Sequence, residues 1–304
     1  MNERSFFEHE ATPEVEKPIE SRVVLSFMRH GKKEKIEGLP DPEVPLTIQG
    51  LYEAWKKGAH TRAKPEVSVI LGGPRKRTRE TALHVMMGGK AAPHTTLEQM
   101  EAQIAQEMSF GKKTKIDRRL DFNTNGPVGR EALAAAKEGR YFKYLSQQSD
   151  QRAIETGDRE STTLTRHAGF ISELINRYLR VSEAFHRLAT APEQKYAKFG
   201  NRLERYLGTH QGIQESFIIK ALEAFGDNEK KQAFIEAYPN GFKELQGMDI
   251  EITTSGDQRT ITLSYEIPAP DGRMQKEAIS LTPEILQKII EEHQEFEKTV
   301  EEAI

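Results

Sequence analysis

Short apolar runs that end abruptly in polar residues most constrain how this chain of 304 residues can fold. Residues 23–28 form one such run, rich in β-branched and other apolar side chains, and residues 67–71 form another. Both have the length and composition of strands buried inside a sheet. A helix capped by Thr47 is expected between them, and a second helix is expected over residues 78–87. Strand and helix in alternation, with short connections, predict a parallel α/β sheet.

Basic side chains and histidines directly follow these runs. Arg29 and His30 follow the first run, and two glycines and a proline lead from the second run to the basic residues 75–77. A third short run, residues 205–209, is followed by His210. The carboxyl ends of parallel strands meet at one edge of a sheet, which is where α/β proteins bind ligands. The sequence therefore predicts a ligand site formed by these side chains.

The rest of the chain predicts further helices and an antiparallel unit. Residues 130–199 are expected to be mostly helical, because apolar side chains recur every three or four positions over their second half. Residues 249–254 and 260–265 alternate with period two around a Ser-Gly-Asp turn, which predicts a C-terminal β-hairpin at a sheet edge. Thr282, followed by a proline, predicts the start of a last helix.

The composition excludes several classes of site. The chain contains no cysteine, which excludes disulfides, thiolate metal sites and a cysteine nucleophile. Its formal net charge is −3 at pH 7, so no overall positive field favours nucleic acid. An anionic ligand must therefore be held by a local cluster of basic side chains.

The first 20 residues are polar and rich in glutamate, and we expect them to form a flexible tail. They lack the apolar segment of a signal peptide or a membrane anchor. No apolar run in the chain approaches the ~20 residues that span a bilayer. The sequence therefore predicts a cytoplasmic protein without a membrane partner.

The side chains at the predicted strand ends match what phosphoryl transfer to an imidazole requires. Such a transfer needs a neutral ring nitrogen, cationic donors for the phosphoryl oxygens and an acid for the leaving oxygen. Arginine suits the second role because its planar fork can bind phosphate through two hydrogen bonds. The candidates are His30 as nucleophile, Arg29 and Arg77 as phosphate ligands, and His210 as a second histidine.

Four motifs together resemble those of the histidine phosphatase superfamily, which contains the cofactor-dependent phosphoglycerate mutases. Residues 29–31, Arg-His-Gly after an apolar strand, resemble its signature. Residues 45–50 are similar to its leucine-threonine-x-x-glycine helix start, and residues 73–82 to its second arginine motif. Residues 208–212 are similar to its second-histidine motif, and the four motifs occur in the family's order.

The resemblance implies that His30 is the residue that becomes phosphorylated. It also implies that Arg29, Arg77 and His210 complete a phosphate pocket, and that neither a metal nor another cofactor is required. For the fold it implies a three-layer α/β/α sandwich with a mostly parallel central sheet. Residues 21–304 would form a single domain of this kind, with the helical segment of about 130–199 as an insert.

Two departures from the family patterns bear on the reaction. Phosphoglycerate mutases carry serine and asparagine where this chain has Lys33 and Ile36, which favours a phosphatase over a mutase. The acid-phosphatase branch has an aspartate directly after its second histidine, where this chain has Gln211.

The proton donor is therefore expected after the third strand, where the other branch of the family places it. The family's donor glutamate corresponds to Phe122 in this chain. Asp121 is the candidate by proximity, with Asp117 as the second choice. Asp121 would protonate the leaving alcohol and then deprotonate the incoming water.

The sequence predicts a phosphomonoester hydrolase that works through a covalent phosphohistidine. The alternatives are a mutase-like phosphotransferase and a phosphate-binding regulatory protein with little or no turnover. The partner would be a small phosphorylated substrate or a phosphoprotein, and not nucleic acid. Substrate identity and oligomeric state stay open.

Several roles near the site also stay open at this stage. Arg75 and Lys76 could be a solvated turn or additional phosphate ligands. Lys32, Lys33 and Lys35 are expected to be solvated, with a basic rim as the alternative. The helical insert could be a lid over the strand ends or could simply pack on the outer face. The other histidines, among them His167, are expected to be packing or surface residues.

Overall fold

Seven strands form one sheet with helices on both faces in the computed structural model, which describes residues 20–61, 68–107, 114–191, 200–269 and 271–303. The strands are β1 (Glu20–Arg29), β2 (Val69–Gly72), β3 (Thr114–Ile116), β4 (Arg202–Thr209), β5 (Gly247–Ser255), β6 (Gln258–Pro268) and β7 (Met274–Leu281). The helices are α1 (Ile48–Thr61), α2 (Lys76–Met87), α3 (Leu97–Glu107), α4 (Pro127–Lys137), α5 (Tyr141–Gln147), α6 (Ser149–Thr156), α7 (Leu164–Thr190), α8 (Ile213–Ala224), α9 (Asn228–Ala237) and α10 (Pro283–Glu302). Two 3₁₀ turns, Asp41–Glu43 and Arg118–Leu120, lie in the loops.

The strand order is β3-β2-β4-β1-β5-β6-β7. The first four strands in this order run parallel, while β5, β6 and β7 each run antiparallel to their neighbours. The carboxyl ends of β1, β2, β3 and β4 therefore lie at one edge of the sheet. The predicted parallel sheet is confirmed.

Side chains on the two faces of the sheet form two separate cores. On one face, Leu25 and Leu207 pack in a large cluster with residues of α7, α8 and α10. On the other face, Met28, Ile70 and Tyr206 pack with residues of α1, α2 and α3. The strands bury apolar side chains on both faces, as strands inside a layered sheet do. The arrangement is the predicted three-layer α/β/α sandwich.

Two predicted helix starts are confirmed by their capping contacts. The Thr47 hydroxyl accepts a hydrogen bond from Gly50 N at 2.9 Å, and α1 begins at the next residue. The Thr282 hydroxyl accepts from Ile285 N, and α10 begins at Pro283. In both helices the cap satisfies an N–H that has no partner inside the helix.

The prediction of a C-terminal hairpin at a sheet edge was wrong in its placement. Strands β5 and β6 do form a hairpin, but β5 also pairs with β1 and so lies inside the sheet. The edge is β7, which the sequence analysis missed. The period-two alternation in β5 indicates that one face of the strand is buried, but it does not indicate which strands pair with β5. Strand β7 alternates only from Glu277 to Leu281, and Leu281 is its one buried residue, so its pattern is weak.

The predicted helical segment after residue 130 is confirmed in its described part, which contains α4 to α7. Helix α7 packs against β1 and β5 and against α8 and α10, so it belongs to one outer layer of the sandwich. Residues 192–199, at the end of the segment, lie outside the described residues.

The predicted tail also lies outside the described residues, apart from Glu20, which is the first residue of β1. Among the helices of the described ranges, none combines the length and the apolar composition that a membrane span needs.

Candidate active site

The carboxyl ends of two neighbouring strands bring His30 and His210 together. Strands β1 and β4 pair in register from Arg22 to Arg29, and His30 N donates to Thr209 O at 2.9 Å just beyond the last pair. The two imidazole rings lie 5.1 Å apart, measured between centroids, at an angle of 71°. The ordering of the parallel strands thus places two histidines that are 180 positions apart in one site.

Arg77 reaches the same place from the first turn of α2 because Gly208 lets the helix approach β4. A Cβ atom on Gly208 would lie only 1.9 Å from Thr78 O. Any larger residue at this position would push the start of α2 away from the strand. The glycine two positions before His210 therefore helps to set the distance between Arg77 and the histidines.

The ring of His30 is held with one nitrogen unprotonated. Its Nδ1 lies 2.7 Å from Gly31 O, which can only accept, so Nδ1 carries the proton of the neutral ring. Nε2 then accepts from Arg77 Nε at 3.3 Å. Burial lowers the pKa of His30 well below the usual value of 6.5, and His210 and the two arginines lower it further against the effect of Gly31 O. A neutral ring with no proton on Nε2 is the form that a nucleophilic histidine requires.

The loop that precedes β5 holds the side chain of Arg29 in place. Its Nη1 donates to Phe242 O at 2.5 Å. The carboxylate of Glu215, which is fully buried, accepts from Phe242 N at 2.7 Å and from Gly212 N at 2.9 Å. Burial lowers the pKa of Arg29, and the charge of Glu215 opposes that shift. Glu215 thus ties together the two loops beside Arg29 and partly balances its charge.

Arg77 and Arg75 both hold the carboxylate of Asp41. Arg77, whose side chain is 2% exposed, donates from Nη2 to Asp41 Oδ2 at 3.1 Å and from Nη1 to Asp41 O at 2.8 Å. Arg75 Nη1 also donates to Asp41 Oδ2. The anion that occupies these two guanidinium groups in the structure is therefore a side chain of the protein itself.

Asp121 lies beside His210 and Arg75. Its Oδ1 is 3.1 Å from His210 Nε2, an ion-pair distance without the alignment of a hydrogen bond. The same oxygen accepts from Arg75 Nε at 2.8 Å. Burial raises the pKa of Asp121, but His210 and Arg75 outweigh burial and the net shift is downward. Burial lowers the pKa of His210 to about 4, although Asp121 acts in the opposite direction.

The second donor candidate, Asp117, is engaged elsewhere. Its Oδ1 accepts from Arg119 N and Nε, and its Oδ2 accepts from Arg119 Nη2 at 2.7 Å. Asp117 caps the 3₁₀ turn that leads to Asp121. Of the two aspartates, only Asp121 contacts a predicted site residue.

Three residues at the site were not assigned to it by the sequence analysis. Arg75, left open between a solvated turn and an additional phosphate ligand, has a side chain only 15% exposed and contacts Asp121 and Asp41. His167, expected to be a packing or surface residue, is buried and has its Nε2 3.2 Å from Asp121 O. Arg75 was a candidate because it directly follows the second strand end. Asp41 and His167 lie in segments with no motif that points to the site.

A cavity of about 270 Å³ opens beside His30, Arg77 and His210. Its polar wall contains Arg29, His30, Lys33, Arg77, Thr124, His210, Gln211 and Glu244, and its less polar wall contains Phe122, Leu133, Ala136 and Tyr141. Leu133 and Ala136 belong to α4, and Tyr141 begins α5. The first two helices of the predicted insert therefore line the site, whereas α7 packs on the sheet.

A second cavity, of about 650 Å³, adjoins the first at Phe122. Asp121 and His167 line this second cavity, as do Phe170 and Arg118. Because Asp121 also contacts His210, it lies between the phosphate-binding groups and a space large enough for an organic substituent.

Within the described ranges, no group of three or more histidine, aspartate or glutamate side chains has the arrangement of a metal site.

Comparison with known proteins finds only distant similarity. No protein-family model and no curated protein matches the chain. Among solved structures, a mycobacterial glucosyl-3-phosphoglycerate phosphatase is similar at 14% identity, over 77% of this chain and 91% of that chain, with a TM-score of 0.39. A structure described as mycobacterial hydrolase 2 is similar at 14% identity, over 90% of this chain and 98% of that chain, with a TM-score of 0.39.

The first of these two proteins belongs to the histidine phosphatase superfamily, the family that the sequence motifs resemble. At this identity and TM-score the similarities are too distant to indicate the activity of this chain.

Proposed function

We propose that the protein is a phosphomonoesterase that transfers the phosphoryl group of its substrate to His30 and then to water. The observation that carries this proposal is the state of His30: Nδ1 faces a carbonyl oxygen, and Nε2 is unprotonated and faces the guanidinium of Arg77. A purely structural histidine has no need of a free nitrogen beside a phosphate-binding group.

The first step forms a bond between phosphorus and His30 Nε2 and breaks the bond between phosphorus and the leaving oxygen. Arg29, Arg77 and His210 hold the non-bridging oxygens, where negative charge must be stabilised. Asp121 gives its proton to the leaving oxygen. In the second step Asp121 takes a proton from water, the water oxygen attacks phosphorus, and the bond to Nε2 breaks. The products are an alcohol and inorganic phosphate, and His30 returns to its neutral form.

Asp121 can act as an acid only if the bound substrate raises its pKa. In the free protein His210 and Arg75 lower the pKa of this carboxyl despite its burial. A phosphate dianion between Arg77 and His210 adds negative charge close to Asp121. Like charge nearby raises a carboxyl pKa. Binding of the dianion is thus expected to protonate Asp121, which can then give this proton to the leaving group.

Replacement of the nucleophile tests the proposal. We expect His30→Ala to lose turnover of a chromogenic phosphomonoester by at least about a thousandfold, the scale on which single catalytic groups act. His60→Ala, at an exposed position of α1, is the matched control and should keep the wild-type rate. Activity of His30→Ala comparable to that of the control would remove the proposal.

A phosphate-binding protein with little turnover is the second candidate. The observation in its favour is that Asp121 is held as a carboxylate by Arg75 and His210 in the free protein. Phosphate binding without release of alcohol from any of a panel of phosphomonoesters would support it. Phosphorus NMR of the products also separates hydrolysis, which yields free phosphate, from transfer within one substrate.

A further inference from the structure

We propose that Asp41 is an internal competitor for the phosphate-binding arginines, which it occupies in the free protein and surrenders when phosphate binds. This inference rests on the proposed function for the identity of the ligand, an anionic phosphoryl group. It concerns a loop residue to which the sequence motifs assign no role.

Three cations surround the Asp41 carboxylate, one from the loop after β1 and two from the start of α2. Oδ2 accepts from Arg77 Nη2 at 3.1 Å and from Arg75 Nη1, while Oδ1 accepts from Lys33 Nζ at 2.9 Å. Burial raises the pKa of this carboxyl, but Lys33, Arg77 and Arg75 outweigh burial and hold the pKa far below its usual range. Asp41 is therefore charged, and its oxygens take hydrogen bonds of the kind that phosphate oxygens take from arginine and lysine.

Three of the five N–H groups of Arg77 are engaged while Asp41 is in place. Its Nε donates to His30 Nε2, the atom that would attack phosphorus, and both Nη atoms donate to Asp41. A phosphoryl group in line with Nε2 needs the Nη donors of the same guanidinium. The substrate and the Asp41 carboxylate thus compete for the Nη2 group of Arg77 and for the positive charge of the two arginines.

The loop that carries Asp41 can release it at small cost. Its base is fixed by an isolated bridge between Lys33 and Leu46 and by the bond from Glu34 N to Pro45 O. The 3₁₀ turn Asp41–Glu43 contains no buried residue, and the Asp41 side chain is 43% exposed. Rotation of this side chain into solvent exposes no apolar core and can leave the bond from Arg77 Nη1 to Asp41 O intact.

An internal competitor lowers the apparent affinity of every anion that binds the arginines by the same factor, because an anion binds only the fraction of molecules in which the site is open. It also restores the ion pairs as product phosphate leaves. Asp41 is therefore expected to limit inhibition by product phosphate and to raise KM, with little direct effect on the chemical step.

The test compares Asp41→Asn with Glu43→Gln, which removes one negative charge from an exposed position of the same turn. The probes are inorganic phosphate and sulfate, with dissociation constants from calorimetry at one ionic strength. We expect Asp41→Asn to bind both anions about tenfold more tightly, by a similar factor, as for a site open in about a tenth of molecules. Glu43→Gln should bind both as the wild type does.

Unchanged or weaker phosphate binding in Asp41→Asn would overturn the inference, since it would make Asp41 a support for Arg77. Tightening of equal size in Glu43→Gln would also overturn it, because general charge would then explain the effect. A loss of kcat in Asp41→Asn with unchanged phosphate affinity would instead identify Asp41 as a proton donor. Binding is measured without turnover, so a failure of the proposed phosphatase activity leaves this test intact.

Discussion

The nucleophilic character proposed for His30 depends on two hydrogen bonds and on burial. Gly31 O fixes the proton on Nδ1, and Arg77 Nε faces Nε2. Burial and the nearby cations disfavour a second proton on the ring. At the residue scale the structure therefore holds the imidazole in its reactive form before any substrate arrives, which is the preorganisation on which catalysis depends.

The titration of His30 tests this residue-scale account. A histidine whose pKa lies well below 6.5 stays neutral as the pH falls from 8 to 6. In the unfolded chain the same residue has a pKa of about 6.5 and gains a proton over that interval. We expect the ring resonances of His30, assigned by comparison with His30→Ala, to stay constant over that interval in the folded protein. Those of the urea-unfolded protein should move. A folded-state midpoint at or above 6.5 would contradict the account.

The sequence predicted several of these residues but not the network around them. Arg29, His30 and Arg77 follow strand ends in recognisable motifs, and the structure brings them together with His210. Asp41 and His167 reach the site through loop conformation and helix packing, which no local pattern encodes. Their contacts are set by tertiary structure, so a single sequence does not reveal them.

At the scale of elements, the start of α8 connects the second histidine to Arg29. Gly212, with φ of 89°, adopts a left-handed conformation that favours glycine and turns the chain from β4 into the helix. Glu215 in the first turn then accepts from Gly212 N and from Phe242 N. Because Phe242 O accepts from Arg29, the helix start, the following loop and β1 form one hydrogen-bonded unit.

Replacement of Glu215 by glutamine should disturb this unit. A glutamine has one acceptor oxygen, so one of the two buried N–H groups loses its partner, which costs about 1–3 kcal/mol of unfolding free energy. The loop whose Phe242 O holds Arg29 also loses support, and because Arg29 is then less well positioned we expect KM for a phosphomonoester to rise. Denaturant unfolding and steady-state kinetics measure the two effects.

Glu223→Gln, on the same helix, is the control. Glu223 is half-buried and pairs with Lys220 and Lys231. Its replacement should change the unfolding free energy by at most about 1 kcal/mol and leave KM unchanged. If Glu215→Gln behaved like this control, the proposed link between α8 and Arg29 would be wrong.

At the scale of the whole molecule, the interior of the sheet forms the core of the fold, and one edge of the sheet carries the candidate site. Strands β1 and β4 lie at its centre, buried between helices on both faces, and their carboxyl ends supply Arg29, His30 and His210. The parallel half was predictable because short buried strands alternate with capped helices. The antiparallel half was predicted only in part, because β7 has a single buried residue and so a weak pattern, and because strand neighbours are not encoded locally.

Direct detection of a phosphoryl group on His30 tests the central claim most directly. The variant Asp121→Asn should still accept a phosphoryl group from p-nitrophenyl phosphate, whose leaving group needs no proton, but should lack the base that activates water. We therefore expect the phosphorylated protein to accumulate and to survive an alkaline quench, because phosphohistidine is stable in base and labile in acid. Mass spectrometry should then find one phosphoryl group on the peptide that contains His30. Release of p-nitrophenol by the wild type, with no phosphoryl group at His30 in either protein during turnover, would contradict the account.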